Sequence, residues 1–454
     1  MFDKLRRILA KIEADYADIR YEIMKQSTIS FSGKDLTQIS SNATDGYVVR
    51  ILDNGGMSSV VFTKVDDADK AVQAAIENAR LVGKTAKKPF KLASVPPVKD
   101  KYSPELNEDP RKISMEEKLN LVRHYNDIPL SYDEIASTQI KYNELCRDKY
   151  FLSSEGTEIN EELITVSLTG EVIARNGTQM QNVRIRGGGS NGFANIRNLD
   201  QHLEERSKIA RDLLKAQPVQ GGNYNCILNP SMAGVFVHEA FGHFSEADLI
   251  QNLPKMREKM KLGSKLGNDT VTIIDDATLP DQLGFYKYDD EGVPVRKTSL
   301  MTKGVLVGRL HSRRTAAEFD EPVSGHCIAE DYRYDPIIRM GTIYIEPGQY
   351  SLEELASMLD DGLYILDAKG GQTSGENFTF GAQLGYEVKN GKIGRMVRDL
   401  NISGNLYHTL MNIQAAANDF VLCKVGGCGK GQTNIRSCNG GSHILVKDVV
   451  VGGV

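Results

Sequence analysis

From Ala17 to Thr63 the chain reads ADIRYEIMKQSTISFSGKDLTQISSNATDGYVVRILDNGGMSSVVFT, in which apolar and polar residues alternate between breaks at Gly and Asn-Gly. Alternation at period two sends successive side chains to opposite faces, so the run folds as a meander of strands. Helical spacing at Leu5, Ile8, Leu9 and Ile12 precedes it, and residues 66–83, DDADKAVQAAIENARLVG, follow with an Asp at the start and a Gly at the end. The first part of the chain is therefore α+β.

Residues 87–112 are rich in Pro, Lys and Asp without periodicity and read as an exposed connection. A helix over SMEEKLNLVRHYNDIP, strands between residues 135 and 193, and an amphipathic helix from about Arg197 to Leu214 come next. The Pro and Gly cluster in KAQPVQGGNYN marks a boundary near residue 220. Two domains are expected, 1–220 with mixed helix and strand and 221–454 mostly strand and glycine-marked turn, with helices around His238 and in SLEELASMLDDG. A length of 454 residues suits that division.

With 40% hydrophobic residues, 25% charged residues and a net charge of -5, the chain is neither basic enough for a nucleic-acid binder nor polar enough for disorder. The amino-terminal residues carry charges throughout with no long apolar run, so a cytoplasmic protein without a membrane partner is expected. The six cysteines are scattered and read as free thiols. The glycine-rich stretches 367–394 and 424–443 lack the strand-GxxxxGK[ST]-helix order of a phosphate loop.

The residues that suggest chemistry are His238-Glu239-Ala240-Phe241-Gly242-His243. A zinc protease helix usually reads His-Glu-x-x-His, with both imidazoles on one face. Here the offset is five, which turns His243 roughly 140° away from His238 on a regular α-helix. A metal site therefore requires an irregular helix, and Gly242 is the place where a π-bulge or early unwinding would absorb the extra residue. A catalytic zinc wants a third protein ligand. Glu246, Cys428, Cys438, His443, and His326 with Cys327 are all candidates, and spacing does not rank them. His124, His202, His311 and His408 read as ordinary surface or core residues.

Longer stretches carry a resemblance: HEAFGHFSEAD, then IIDDATLPDQLGFYKYDDEGVPVRKTSLMTKGVLVGRLHSRRTA, then GGCGKGQ, with shorter agreements in ADYADIRYE, GYEVKNGKIGRMVRDLNISGN and HILVKDVVVGG. The sequence resembles the TldD/PmbA family of metalloproteases, on the branch that keeps HExxxH. The resemblance implies an amino-terminal α/β domain and a carboxyl-terminal strand-rich domain carrying the metal. It implies His238, His243 and Cys428 as ligands of a divalent metal, with Zn2+ the expected ion for that donor set, and Glu239 as catalytic residue. The activity implied is hydrolysis of peptide bonds in unfolded peptides or flexible segments, by water that the metal acidifies and Glu239 deprotonates. It also implies a dimer, with another copy or with a related subunit. The competing reading is a non-proteolytic binding or modulator protein with a structural metal site. One departure is RMGTIY at Arg339 to Tyr344, where family members often read RMTNTY.

Overall fold

A computed structural model describes residues 1–453. The alternating segments become long strands: β1 (Tyr16–Ser32), β2 (Asp35–Asp53), β3 (Gly56–Phe62), β4 (Lys99–Tyr102), β5 (Ile135–Ser153), β6 (Glu158–Asn176) and β7 (Gln179–Gly189). They form one seven-stranded sheet in the order β3-β2-β1-β5-β6-β4, with β7 beside β6. Every pairing is antiparallel except that of β4, which runs parallel to β6. Strand β4 lies inside the stretch expected to be a bare connection. Its residues KDKY are held by main-chain pairing at a sheet edge, which leaves no apolar pattern in the sequence.

Helices α1 (Phe2–Leu9) and α2 (Ala68–Thr85) cover one end of this sheet, and α3 (Met115–Leu130) and α4 (Asp200–Leu213) the other. Ala17, Ile19 and Tyr21 pack toward α1 and α2. The alternate residues, Asp18, Arg20 and Glu22, are also buried, because a segment from the second half of the chain lies over them. Arg50 reaches Asp18 at 2.6 Å and Glu291 at 3.5 Å. Lys149 holds Asp290 at 3.0 Å and Glu161 at 2.8 Å, and Arg147 pairs with Glu22. The two halves therefore meet across a buried ion network, where loss of one member would leave a charge uncompensated.

In the second half, the strands Gly362–Ser374, Gly222–Leu228, Ile444–Gly452, Asn401–Asn405 and Asn377–Lys389 pair in that order, and the last pairs back with the first to close a ring. A separate six-stranded sheet has Ile273–Asp276, Thr342–Ile345 and Cys438–Gly441 at its centre. Between ring and sheet lies α5 (Pro230–Phe236), whose Phe236 ring sits edge-on to Phe378 at 5.4 Å. The half also holds short helices that the sequence reading lacked, among them Ala247–Ile250, Pro254–Lys259, Arg313–Phe319 and Leu406–Met411. Four to seven residues are too few to repeat a helical period. No helix among the described residues is long and apolar enough to cross a membrane.

Candidate metal centre

The side chain of Asn229 caps α5 by accepting the Met232 N–H at 3.0 Å, and Pro230 occupies the first turn, where no donor is missed. The helix then changes type: Val237–Gly242 is a π-helical turn, and His243–Ser245 resumes the α form. Bonding from i to i+5 stacks residues five apart on one face, as α bonding does for residues four apart. His238 and His243 accordingly face each other, with ring centroids 5.3 Å apart and planes at 86°.

Gly242 has ordinary helical dihedrals, φ -57 and ψ -45, so conformational freedom is not what the position demands. A Cβ there would stand 2.1 Å from Met340 Sδ and 2.9 Å from Ile343 Cδ1, and both neighbours are fully buried. Glycine lets the turn approach the sheet. Gly242→Val is expected to cost about 1–3 kcal/mol through overpacking and to loosen metal binding as the turn shifts. Thermal unfolding and a metal titration check both; an unchanged melting temperature would count against the packing argument.

At Glu246 the chain leaves the helix with extended dihedrals, φ -77 and ψ 112, and Ala247 N–H donates to the Leu310 carbonyl at 3.1 Å. This break swings the Glu246 carboxylate back, to 3.1 Å from His243 Nδ1. The other ring nitrogen, Nε2, lies 3.6 Å from Cys428 Sγ and 3.7 Å from Glu239 Oε2. Cys428 arrives on a loop that Gly427 enters at φ +150, a backbone value that L side chains rarely adopt. Cys428 and Ile435 exchange backbone hydrogen bonds at 3.2 and 3.3 Å, pinning the loop base. One donor atom each from His238, Glu239, His243 and Cys428 thus falls within 4.8 Å of the others.

The donor set fits a divalent ion. His238 is buried, and its Nδ1 has no hydrogen-bond partner among the described residues, whereas a satisfied core histidine would have one. Burial pushes the Cys428 thiol up, but hydrogen bonding with His238 and His243 more than reverses this and holds it at about 5. A thiolate beside two imidazoles is a strong ligand set for zinc. For His243, burial pulls the pKa down, while Cys428 and Glu246 raise it to about 9.

Of the remaining candidates, Glu246 touches a histidine of the cluster without joining it. His443 lies elsewhere, bound to Asp419 through Nδ1 and to the Tyr364 hydroxyl at 2.7 Å. His326 is occupied by Asp275 and the Ser324 carbonyl, both at 2.9 Å, and Cys327 and Cys438 are buried in strands. Thr342 and Ile343, at the RMGTIY departure, are buried in the central strand of the six-stranded sheet.

Two charged residues around the cluster, Lys430 and Arg339, escaped the sequence reading. Lys430, two residues past Cys428, donates to Glu246, Asp248 and the Ile338 carbonyl at 2.9, 2.9 and 2.8 Å. Arg339 is fully buried, its Nη1 3.8 Å from Glu246 Oε1. A lysine inside a glycine run and an arginine beside a buried strand were the available signals. Glu246 is fully buried: burial raises its pKa, and His243, Lys430 and Arg339 more than offset that, holding it below the usual carboxylate range. Glu239 points into a cavity of about 400 Å³ between the helix end and the tip of the 362–389 hairpin.

Comparison with known proteins gives the family. Three family models match in sequence order: PmbA/TldA metallopeptidase domain 1 over residues 17–79, the central domain over 108–216 and the C-terminal domain over 221–453. A metalloprotease of Synechocystis sp. is 35% identical over 444 residues, spanning 97% of this chain and 95% of that one. A metalloprotease of Methanocaldococcus jannaschii is 33% identical over 97% of this chain and 98% of its own length. A zinc metalloprotease TldD homolog of Saccharolobus solfataricus is 31% identical over 98% of each chain. The fold matches that of a candidate DNA gyrase modulator from Thermotoga maritima, with TM-score 0.82 and 20% identity over all of both chains. TldE from Thermococcus kodakarensis has TM-score 0.77 and 17% identity, again over the whole of both chains. With three domain models matched in order and relatives above 30% identity along nearly the whole length, the chain belongs to the PmbA/TldA metallopeptidase family.

Proposed function

We propose that the protein is a zinc-dependent peptidase that hydrolyses peptide bonds in unfolded peptides or flexible protein segments. The observation that carries the reading is Glu239: it stands beside three metal-type donors and faces a cavity, whereas a structural zinc is normally closed by four protein ligands and needs no such carboxylate. The relatives named as metalloproteases support the same class of activity.

His238, His243 and Cys428 would hold the ion, which when bound supplies a Lewis acid for the scissile carbonyl and acidifies water. Glu246 accepts from His243 Nδ1–H, which fixes the tautomer and leaves Nε2 free to ligate. Glu239 removes one proton from the attacking water as its oxygen bonds to the carbonyl carbon, then delivers that proton to the amide nitrogen as the C–N bond breaks. The products are a carboxylic acid and an amine, and the carboxylate of Glu239 is regenerated. An extended chain suits a site reached through an open cavity, since a folded surface would not bring its main chain to Glu239.

Metal content by mass spectrometry, read together with cleavage of an unstructured peptide, tests the ligand set. His238→Ala and Cys428→Ala are expected to lose the metal and with it all turnover. Either variant retaining a full equivalent of metal would remove that residue from the assignment.

A further inference from the structure

Resting on the peptidase reading of the same site, we infer that the cavity beside Glu239 is a recognition pocket for one large aliphatic or aromatic side chain next to the scissile bond.

One wall is apolar. It is built by Phe244, Leu249, Leu253 and Met256, from the segment that leaves the metal-binding helix. Leu249 and Leu253 remain 40% and 53% exposed, which leaves open apolar surface in the same cavity as a carboxylate. Opposite stand Thr373 and Gly375, at the tip of the 362–389 hairpin, and Gly429 from the cysteine loop. None of these three carries a charge.

Among the described residues, the charged groups that line the cavity are Glu239 and Lys430, with His243 at its inner end. Lys430 is committed to Glu246, Asp248 and the Ile338 carbonyl, and His243 to Glu246 and the cluster. An acidic substrate side chain would therefore meet Glu239 without a free cation to offset the repulsion. A basic one would pair with Glu239 and withdraw the proton acceptor from the reaction. An apolar side chain alone gains from the wall and leaves Glu239 free.

The walls are fastened to each other. Lys259, at the end of the Pro254–Lys259 helix, holds Glu376 on the hairpin at 2.6 Å and lies 3.8 Å over the Tyr407 ring. The Tyr407 hydroxyl in turn touches Met256 Sδ at 3.7 Å. A pocket held in shape before the ligand arrives recognises it at lower entropic cost than one that must form around it.

The test uses the metal-loaded full chain and a peptide set identical except at the two positions flanking the cleaved bond, occupied by Phe, Leu, Asp or Lys. At one of them Phe or Leu is expected to exceed Asp and Lys in kcat/KM by at least about tenfold, within the range apolar pockets provide. Leu253→Glu, at a half-exposed position that the fold tolerates, should remove most of that preference through KM and leave metal content unchanged. Cleavage without apolar preference at either position, or a preference unaltered in Leu253→Glu, overturns the pocket while the peptidase reading stands. A metal-loaded chain that cleaves none of the peptides overturns both. Binding of the Phe peptide to Glu239→Gln protein, measured by calorimetry, should be at least about tenfold tighter than that of the Asp peptide, and equal affinities also overturn the inference.

Discussion

Glu239→Gln is expected to bind metal as the native chain does and to lose peptide hydrolysis by about 10²–10⁴-fold in kcat, the range that a positioned proton acceptor contributes. The separation follows from the geometry. The carboxylate oxygen is 3.7 Å from His243 Nε2, close enough to serve chemistry at the cluster, while His238, His243 and Cys428 can complete a three-ligand set without it. The amide matches the carboxylate in shape and differs in its inability to take a proton. Mass spectrometry for the metal and a discontinuous peptide assay for turnover give the two readouts. Metal lost together with activity would make Glu239 a ligand; activity retained would remove Glu239 from the proton-transfer role.

The second large effect is expected at Glu246. Glu246→Leu removes the carboxylate against which three buried or half-buried groups are set: His243 Nδ1 at 3.1 Å, Lys430 Nζ at 2.9 Å and Arg339 Nη1 at 3.8 Å. Breaking a buried pair from one side leaves the partner charged and desolvated, which costs about 3–5 kcal/mol. Arg339 makes this severe, because the nitrogens of its fully buried guanidinium have no hydrogen-bond partner among the described residues. His243 would also lose the acceptor that orients its ring, and loss of such a partner typically weakens metal binding by about 10–100-fold. Thermal unfolding of the metal-free variant isolates the stability effect, and a competitive chelator titration measures the affinity. A variant that melts with the native chain and holds its metal as tightly would show that Lys430 and Arg339 find compensation elsewhere.

Much of the fold was legible because its signals are local. Alternation over Ala17 to Thr63 specified β1 to β3, and the Asp and Gly bounding residues 66–83 framed α2 closely. The short helices after residue 246 left no trace, since pieces of four to seven residues do not complete two turns. The strand β4 was hidden for a different reason: an edge strand paired through its main chain does not need an apolar face. Alternation also could not say what covers the polar face of β1. Asp18, Arg20 and Glu22 read as any solvated set of charges, and they are buried because Asp290 and Glu291 arrive from the second half of the chain.

The candidate site divides along the same line. The sequence by itself determined that His238 and His243 could bind one metal ion only if their helix departed from the α form, because 3.6 residues per turn forbid it otherwise. It also singled out Gly242 as the place where the helix could give. Tertiary structure decided the rest. The π turn is held by contact with Met340 and Ile343, which are remote in sequence. Cys428, 185 residues beyond His243, is brought to 3.6 Å from its ring, and His443, His326 and Cys438 are directed elsewhere. A loop carries its ligand to whichever surface the sheets on either side expose to it, and that surface is a property of packing rather than of residue spacing.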